Sequence, residues 1–134
     1  MTTVVDASIA LRWVLKDERP DRSYDLLRDD RVIAPDLVLA EITNAIWKAV
    51  KYAALPSEVA AQAVSEAEIA FDELVPSREL KDRALEIAVA LGHPAYDCFY
   101  LALAEQRQCQ LVTADDRLIR RCADTPHSKL LRPL

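Results

Sequence analysis

A single glycine, Gly92, stands in a chain of 134 residues. Loops that cradle phosphate on backbone N–H groups need several, and neither a G-x-G-x-x-G run nor a Walker-type loop occurs. Dinucleotide dehydrogenases and P-loop ATPases are thereby excluded. Cysteine is also sparse. Cys98, Cys109 and Cys122 form no C-x-x-C pair and their number is odd, so neither a disulfide framework nor a zinc knuckle is expected. They read as small buried apolar residues. The two histidines, His93 and His127, adjoin Pro94 and Pro126 in predicted loops, and a His-based metal or acid–base site is not supported. No apolar run reaches the ~18 residues that span a bilayer. The opening residues, MTTVVDASIA, lack a basic leader and read as a first strand, which leads us to expect a mature, cytoplasmic protein.

Hydrophobic residues make up 51% of the chain and charged residues 29%, a balance that argues for a folded protein rather than a disordered one. The length suits one domain with a real core. The net charge is −5, from 22 acidic and 17 basic side chains. Taken alone, it speaks against strong nonspecific nucleic-acid binding. It does not exclude a nuclease, whose metal site itself needs carboxylates.

Periodicity gives the order of elements. A strand is predicted over about Thr3 to Val5, then a helix from near Ser8 with Ile9, Trp13 and Lys16 on one side. A short helix follows in PDRSYDLLRDD, with Pro20 near its start. RVIAP reads as a second strand. Pro35 and Asp36 then mark the start of a long helix whose apolar stripe runs through Val38, Ile42, Ala45, Ile46 and Ala49. Pro56 and Ser57 open the next helix, and ELVPS is a weak third strand. SRELKDRALEIAVALG predicts a helix capped by Ser77 and stopped by Gly92. HPAYDCFYLALAEQRQ is a further helix, QLVTA a strand, DRLIRRCAD a helix, and KLLRPL a last edge strand. Strands separated by helices imply parallel pairing in a three-layer α/β/α domain.

Acidic residues fall at particular places in this order. Asp6 follows the first strand, and Asp115 and Asp116 follow the strand LVT; the carboxyl ends of parallel strands are where sites assemble. At ~100° per residue, Glu41 lies about 40° from Ala45, on the rim of its helix's apolar stripe, with Asn44 within reach. Asp97 shares a helical face with Tyr100, Leu101 and Ala104, at spacings that ordinarily face a core. Each acid also has an ordinary structural reading. Asp6 suits a turn or helix cap, Asp97 a first-turn acid facing the helix dipole, Asp115 or Asp116 a cap, and Glu41 a surface partner of Lys48 or Lys51. Together they are harder to explain that way, because converging carboxylates repel unless a cation neutralises them. An all-oxygen site suits Mg²⁺ or Mn²⁺ rather than zinc, and metal-assisted phosphodiester hydrolysis is the chemistry implied.

VVDAS, PDLVLAEITNAIW, AYDCFYLALAE and LVTAD, in this order over nearly the whole chain, resemble the PIN-domain ribonucleases, in particular the VapC toxins of toxin–antitoxin pairs. The resemblance implies a single PIN domain over residues 1–134 with a central, mainly parallel sheet of about four or five strands. It makes Asp6, Glu41, Asp97 and Asp115 the acidic quartet, with Asp6 and Asp97 as direct metal ligands, Asp115 direct or through water, and Glu41 positioning water or completing the outer shell. Ser8, Asn44 and Thr113 would orient the carboxylates. In TADD the alignment favours Asp115 for the quartet and Asp116 for the helix cap, although Asp116 can share or take over the role of Asp115. The implied reaction is Mg²⁺- or Mn²⁺-dependent cleavage of RNA by in-line attack of water, leaving a 5′-phosphate and a 3′-hydroxyl. The implied partners are a VapB-like antitoxin and a second copy of the chain in a homodimer, with a toxin–antitoxin hetero-oligomer as the larger assembly and no membrane involved.

Seven cations are candidate phosphate contacts: Arg12, Lys16, Lys48, Lys51, Arg117, Arg120 and Arg121. Trp13 and Trp47 read as packing residues. The alternatives are another Mg²⁺-dependent phosphohydrolase and a PIN-like interaction module without catalysis. A haloacid-type phosphatase wants D-x-D after its first strand, where this chain has D-A-S, and a receiver domain wants paired acids there. An inactive module would lack one of the acids, and all four are present.

Overall fold

In the computed structural model, which describes residues 1–15 and 21–134, the β-branched run after Met1 forms strand β1 (Thr2–Val5), and helix α1 (Ala7–Val14) follows after a single residue. Helix α2 (Ser23–Asp29) leads into β2 (Arg31–Pro35), then α3 (Leu37–Tyr52) and α4 (Ser57–Ala70). Strand β3 (Glu73–Val75) precedes α5 (Lys81–Leu91) and α6 (Ala95–Gln106). The chain ends with β4 (Gln110–Val112), α7 (Asp116–Cys122) and β5 (Leu131–Arg132). The expected residues Lys16 and Pro20, on the first helix and at the start of the second, lie outside the described residues.

All five strands are parallel, in the order β3-β2-β1-β4-β5. The chain builds outward from β1 through β2 to β3, then returns to place β4 on the other side of β1. That reversal is a topological switch point, and the ends of β1 and β4 flank it. Right-handed crossovers put the helices of the two halves on opposite faces of the sheet. Accordingly α1 packs with α2, α3 and α4, while α5 packs with α6, which lies across β1, β2 and β4.

With both faces covered, the strands read as nearly continuous apolar runs. Val4, Val5, Ile33, Ala34, Leu111 and Val112 have no solvent exposure. Helix α6 is buried almost all round, from Cys98 through Tyr100 to Ala104, which accounts for its apolar composition. Cys98 and Cys122 are buried as free thiols and Cys109 is partly covered. Among the described residues, no single helix is long and apolar enough to cross a membrane.

Three local expectations need correction. Ser77 does not cap α5. It opens a separate 3-10 turn (Ser77–Glu79), and both its N–H and its hydroxyl donate to the Asp36 carboxylate across the start of α3. Tertiary pairing has taken the hydroxyl that a local cap would use. The last strand is shorter than KLLRPL, because Pro126–Leu130 forms a 3-10 turn first. Trp47 is 51% exposed on α3, with Lys51 Nζ 5.3 Å above its ring, and so is not a core residue. Trp13 does pack, tilted against Phe71, with its indole N–H donating to the Ser23 carbonyl at 2.9 Å. Gly92 ends α5 in the left-handed region at φ 62°, the role expected of it.

Candidate active site

Asp6 is the one residue between β1 and α1, and the shortness of that connection fixes its side chain at the carboxyl end of the central strand. It is 6% exposed. Its Oδ1 accepts from Ser8 Oγ at 2.5 Å and from the Ile9 N–H at 3.3 Å, so it caps α1. Its Oδ2 accepts from the Thr113 hydroxyl. Both hydroxyls are held from behind: Ser8 Oγ accepts from the Ala114 N–H and Thr113 Oγ1 from the Asp115 N–H, each at 3.0 Å. The turn after β4 is thereby stitched to the end of β1. Burial pushes the Asp6 carboxyl above its ordinary pKa, against the opposing pull of Ser8, Thr113 and the Ile9 N–H, and the field of Asp97 adds to the rise.

Glu41 reaches the same place from α3, as its rim position requires. Its Oε1 accepts from Tyr100 Oη at 2.6 Å, joining α3 to α6 across 59 residues of sequence. Burial raises the Glu41 pKa, Tyr100 opposes the rise, and Asp97 and Asp6 reinforce it. Burial, and then Glu41 itself, keep the Tyr100 phenol protonated as a donor. Asp97 comes from the first turn of α6, half-buried at 24% side-chain exposure. Its Oδ2 is hydrogen-bonded to His93 Nε2 at 2.6 Å.

Asp6, Glu41 and Asp97 therefore lie within each other's fields. Asp115 follows a different course: its Oδ1 accepts from the N–H groups of Arg117 and Leu118, capping α7. The capping role expected of Asp116 belongs to Asp115, because the chain enters the helix one residue earlier than the TADD alignment suggested; Asp116 is the exposed first helical residue. Asn44 is exposed and makes no side-chain hydrogen bond among the described residues.

Two residues of this site escaped the sequence reading. Tyr100 passed for core, and only its place on the face of Asp97 hinted at more. His93 was assigned to a loop without chemistry, yet it is buried between α5 and α6 and touches Asp97; its spacing of four residues was the available signal, masked by the intervening Pro94.

The donors are carboxylates and hydroxyls, the chemistry of a hard divalent cation. Among the described residues, no three His, Cys, Asp or Glu side chains already close into a ligand cage. The mutual field of three acids, one of them buried, fits a cation and is costly without one.

Comparison with known proteins follows the same lines. The PIN domain family matches residues 3–124. The chain is 35% identical over 115 residues to VapC ribonuclease Mb0985 of Mycobacterium bovis, covering 86% of this chain and 87% of that protein. The same figures hold for ribonuclease VapC9 of Mycobacterium tuberculosis. Among solved structures, PAE2754 of Pyrobaculum aerophilum superposes with a TM-score of 0.70 at 22% identity, over 99% of this chain and 89% of that one. VapBC2 of Rickettsia felis, solved bound to a DNA fragment from its promoter, gives 0.69 at 15% identity, over 100% and 99%. These two establish likeness of fold.

Proposed function

The chain belongs to the PIN-domain family and, within it, to the VapC ribonucleases, and on that footing we propose that it is a toxin endoribonuclease dependent on Mg²⁺ or Mn²⁺. The observation that carries the proposal is the convergence of Asp6, Glu41 and Asp97 at the sheet's switch point, from three elements far apart in sequence. Asp6 and Asp97 are the direct ligands in this reading. Glu41 would position water or complete the outer shell, and Asp115, whose Oδ1 caps α7, would hold the ion directly or through water. Bound there, the ion supplies Lewis-acid polarisation of the scissile phosphate and acidifies water for attack.

The chain's own groups do the rest. Ser8 and Thr113 fix both oxygens of Asp6, so its lone pairs are aimed before substrate arrives. Tyr100 holds one oxygen of Glu41 and leaves the other to orient water for in-line attack. His93 holds Asp97 by one oxygen, and the second is the one this reading assigns to the ion.

A cognate VapB-like antitoxin completes the reading. A groove of about 660 Å³ between α1, α3 and α4, lined by Val14, Leu15, Ala53, Leu55, Val59 and Ala63 among others, suits an apolar segment of such a partner. A homodimer, or a toxin–antitoxin hetero-oligomer, acting on cytoplasmic RNA is the assembly we propose.

The test is cleavage of a panel of structured RNAs by the wild type and Asp97→Asn, with Mg²⁺, Mn²⁺ or EDTA. Metal-dependent cleavage by the wild type, reduced at least ~100-fold in the variant, is expected. A folded wild type that binds neither metal and cuts nothing would instead favour the inactive module.

A further inference from the structure

The seven cations that sequence alone offers as phosphate contacts fare differently in the fold. Arg12 is paired with Asp21 at 2.9 Å, and Lys51 lies over the Trp47 and Tyr52 rings. Lys16 lies outside the described residues. Lys48 is exposed on α3. Arg117, Arg120 and Arg121 differ from all of these: with His93 they line one pocket of about 390 Å³.

Elsewhere arginines are tied to carboxylates. Arg28 meets Asp25 and Asp29, Arg31 and Arg107 share Glu73, Arg83 meets Glu86 and Glu105, and Arg132 meets Asp30. Among the described residues, no carboxylate lies within ion-pair distance of Arg117, Arg120 or Arg121. Arg22 and Arg78 are likewise unpaired, but they stand singly on other elements. Three guanidiniums around one concavity, without a carboxylate partner among the described residues, repel one another. They carry planar donor forks matched to phosphate oxygens. The pocket's fourth wall, His93, is the residue hydrogen-bonded to Asp97. One imidazole thus separates the cationic pocket from the acidic cleft.

We propose that this pocket binds a backbone phosphate of the RNA strand next to the scissile one, and so sets where the strand lies across the carboxylates. The inference rests on the nuclease reading above and adds to it the residues that hold the substrate. It also answers an electrostatic problem: a chain of net charge −5 must draw a polyanion toward an acidic cleft, and a local cationic pocket beside it does so.

The experiment is equilibrium binding of a fluorescein-labelled, mixed-sequence single-stranded RNA 20-mer to the full chain in EDTA, across a salt series. The triple variant Arg117→Gln/Arg120→Gln/Arg121→Gln is compared with the wild type and with Arg22→Gln/Arg78→Gln, and thermal melts establish that all three are folded. We expect the triple variant to bind roughly 10- to 100-fold more weakly at low salt, and its log K against log salt slope to flatten by roughly 1–2 units. The control pair should change affinity by no more than about 2-fold. Triple-variant affinity and slope equal to those of the control pair would overturn the proposal. So would a poly-glutamate peptide competing as well as unlabelled RNA, which would reassign the pocket to an acidic polypeptide. Metal-dependent cleavage by a wild type that shows no metal-free RNA binding would overturn the pocket and leave the nuclease reading standing. Neither binding nor cleavage would overturn both.

Discussion

Tyr100 shows how much a single hydroxyl can hold at this site. Its ring is part of the core, at 1% exposure, while its Oη donates to Glu41 at the mouth of the cleft. Removing only the oxygen, in Tyr100→Phe, keeps the packing and leaves a half-buried carboxylate one donor short. The expected loss of stability is about 1 kcal/mol, or roughly 3–5 °C in Tm for a chain of this size. If Glu41 orients water for attack, kcat should fall roughly 10-fold, with KM changed less, when assayed well below the melting temperature. A shift in Tm with kcat unchanged would make the hydrogen bond purely structural. The metal role is our proposal; that Asp6, Glu41 and Asp97 lie close together was legible in the sequence from their places at a strand end, on a helix's apolar rim and in the first turn of a buried helix. Tyr100 was not, because nothing local distinguishes a tyrosine that packs from one that also reaches a partner on another helix. His93 was hidden for a different reason: it lies in the loop between α5 and α6, as the sequence suggested, and nothing in the sequence marks its contact with Asp97 across the start of α6.

At the scale of elements, periodicity located the strands and helices well, since burial on both faces of a parallel sheet leaves an apolar signature in strands as short as VVD and LVT. What it missed were hydrogen bonds made across the fold, such as Ser77 turning to Asp36 and Asp115 taking the cap of α7. Edge strand β3 is pinned by the same kind of long-range pairing. Glu73 meets Arg107 at 2.5 Å and Arg31 at 3.0 Å, and these two guanidiniums, Arg107 foremost, hold its carboxyl down at about 2 from an ordinary 4.5. A carboxyl depressed by folding stabilises the fold fully above its unfolded pKa and loses that contribution as pH falls through the folded one. The contribution of Glu73 is therefore complete above pH 4.5 and disappears as pH falls from there toward about 2. The pair is partly exposed, so solvent screening limits it to about 1 kcal/mol or less. Denaturant melts of Glu73→Gln should show lower stability at neutral pH and a shallower decline over that acid window. An acid limb as steep as that of the wild type would assign the pairing no role in holding β3.

At the scale of the whole molecule, the cleft sets stability against function. Asp6 is buried at the centre of the sheet, within the fields of Glu41 and Asp97, and four hydrogen-bonded groups, Ser8, Thr113, Ala114 and Asp115, are organised around it. Burial, the first cause of the upward push on its carboxyl, opposes the hydrogen bonds that favour its charge. Asp6→Asn keeps an oxygen to accept from a hydroxyl and removes that charge. In EDTA at neutral pH the variant, whose asparagine can still cap α1, should therefore melt at or above the wild-type temperature. Metal should reverse the order. A ligand at 100 times its Kd adds about 2.7 kcal/mol to the folded state, so Mg²⁺ or Mn²⁺ should raise the wild-type Tm by roughly 8–12 °C and leave Asp6→Asn nearly unmoved. Calorimetric scans of both proteins with and without metal make the comparison. Equal metal-induced shifts in the two would take Asp6 out of the metal site. A variant already destabilised in EDTA would mean that its hydrogen bonds to Ser8 and Thr113 outweigh the burial of its charge, and that the cleft is built for the fold before it is built for the ion.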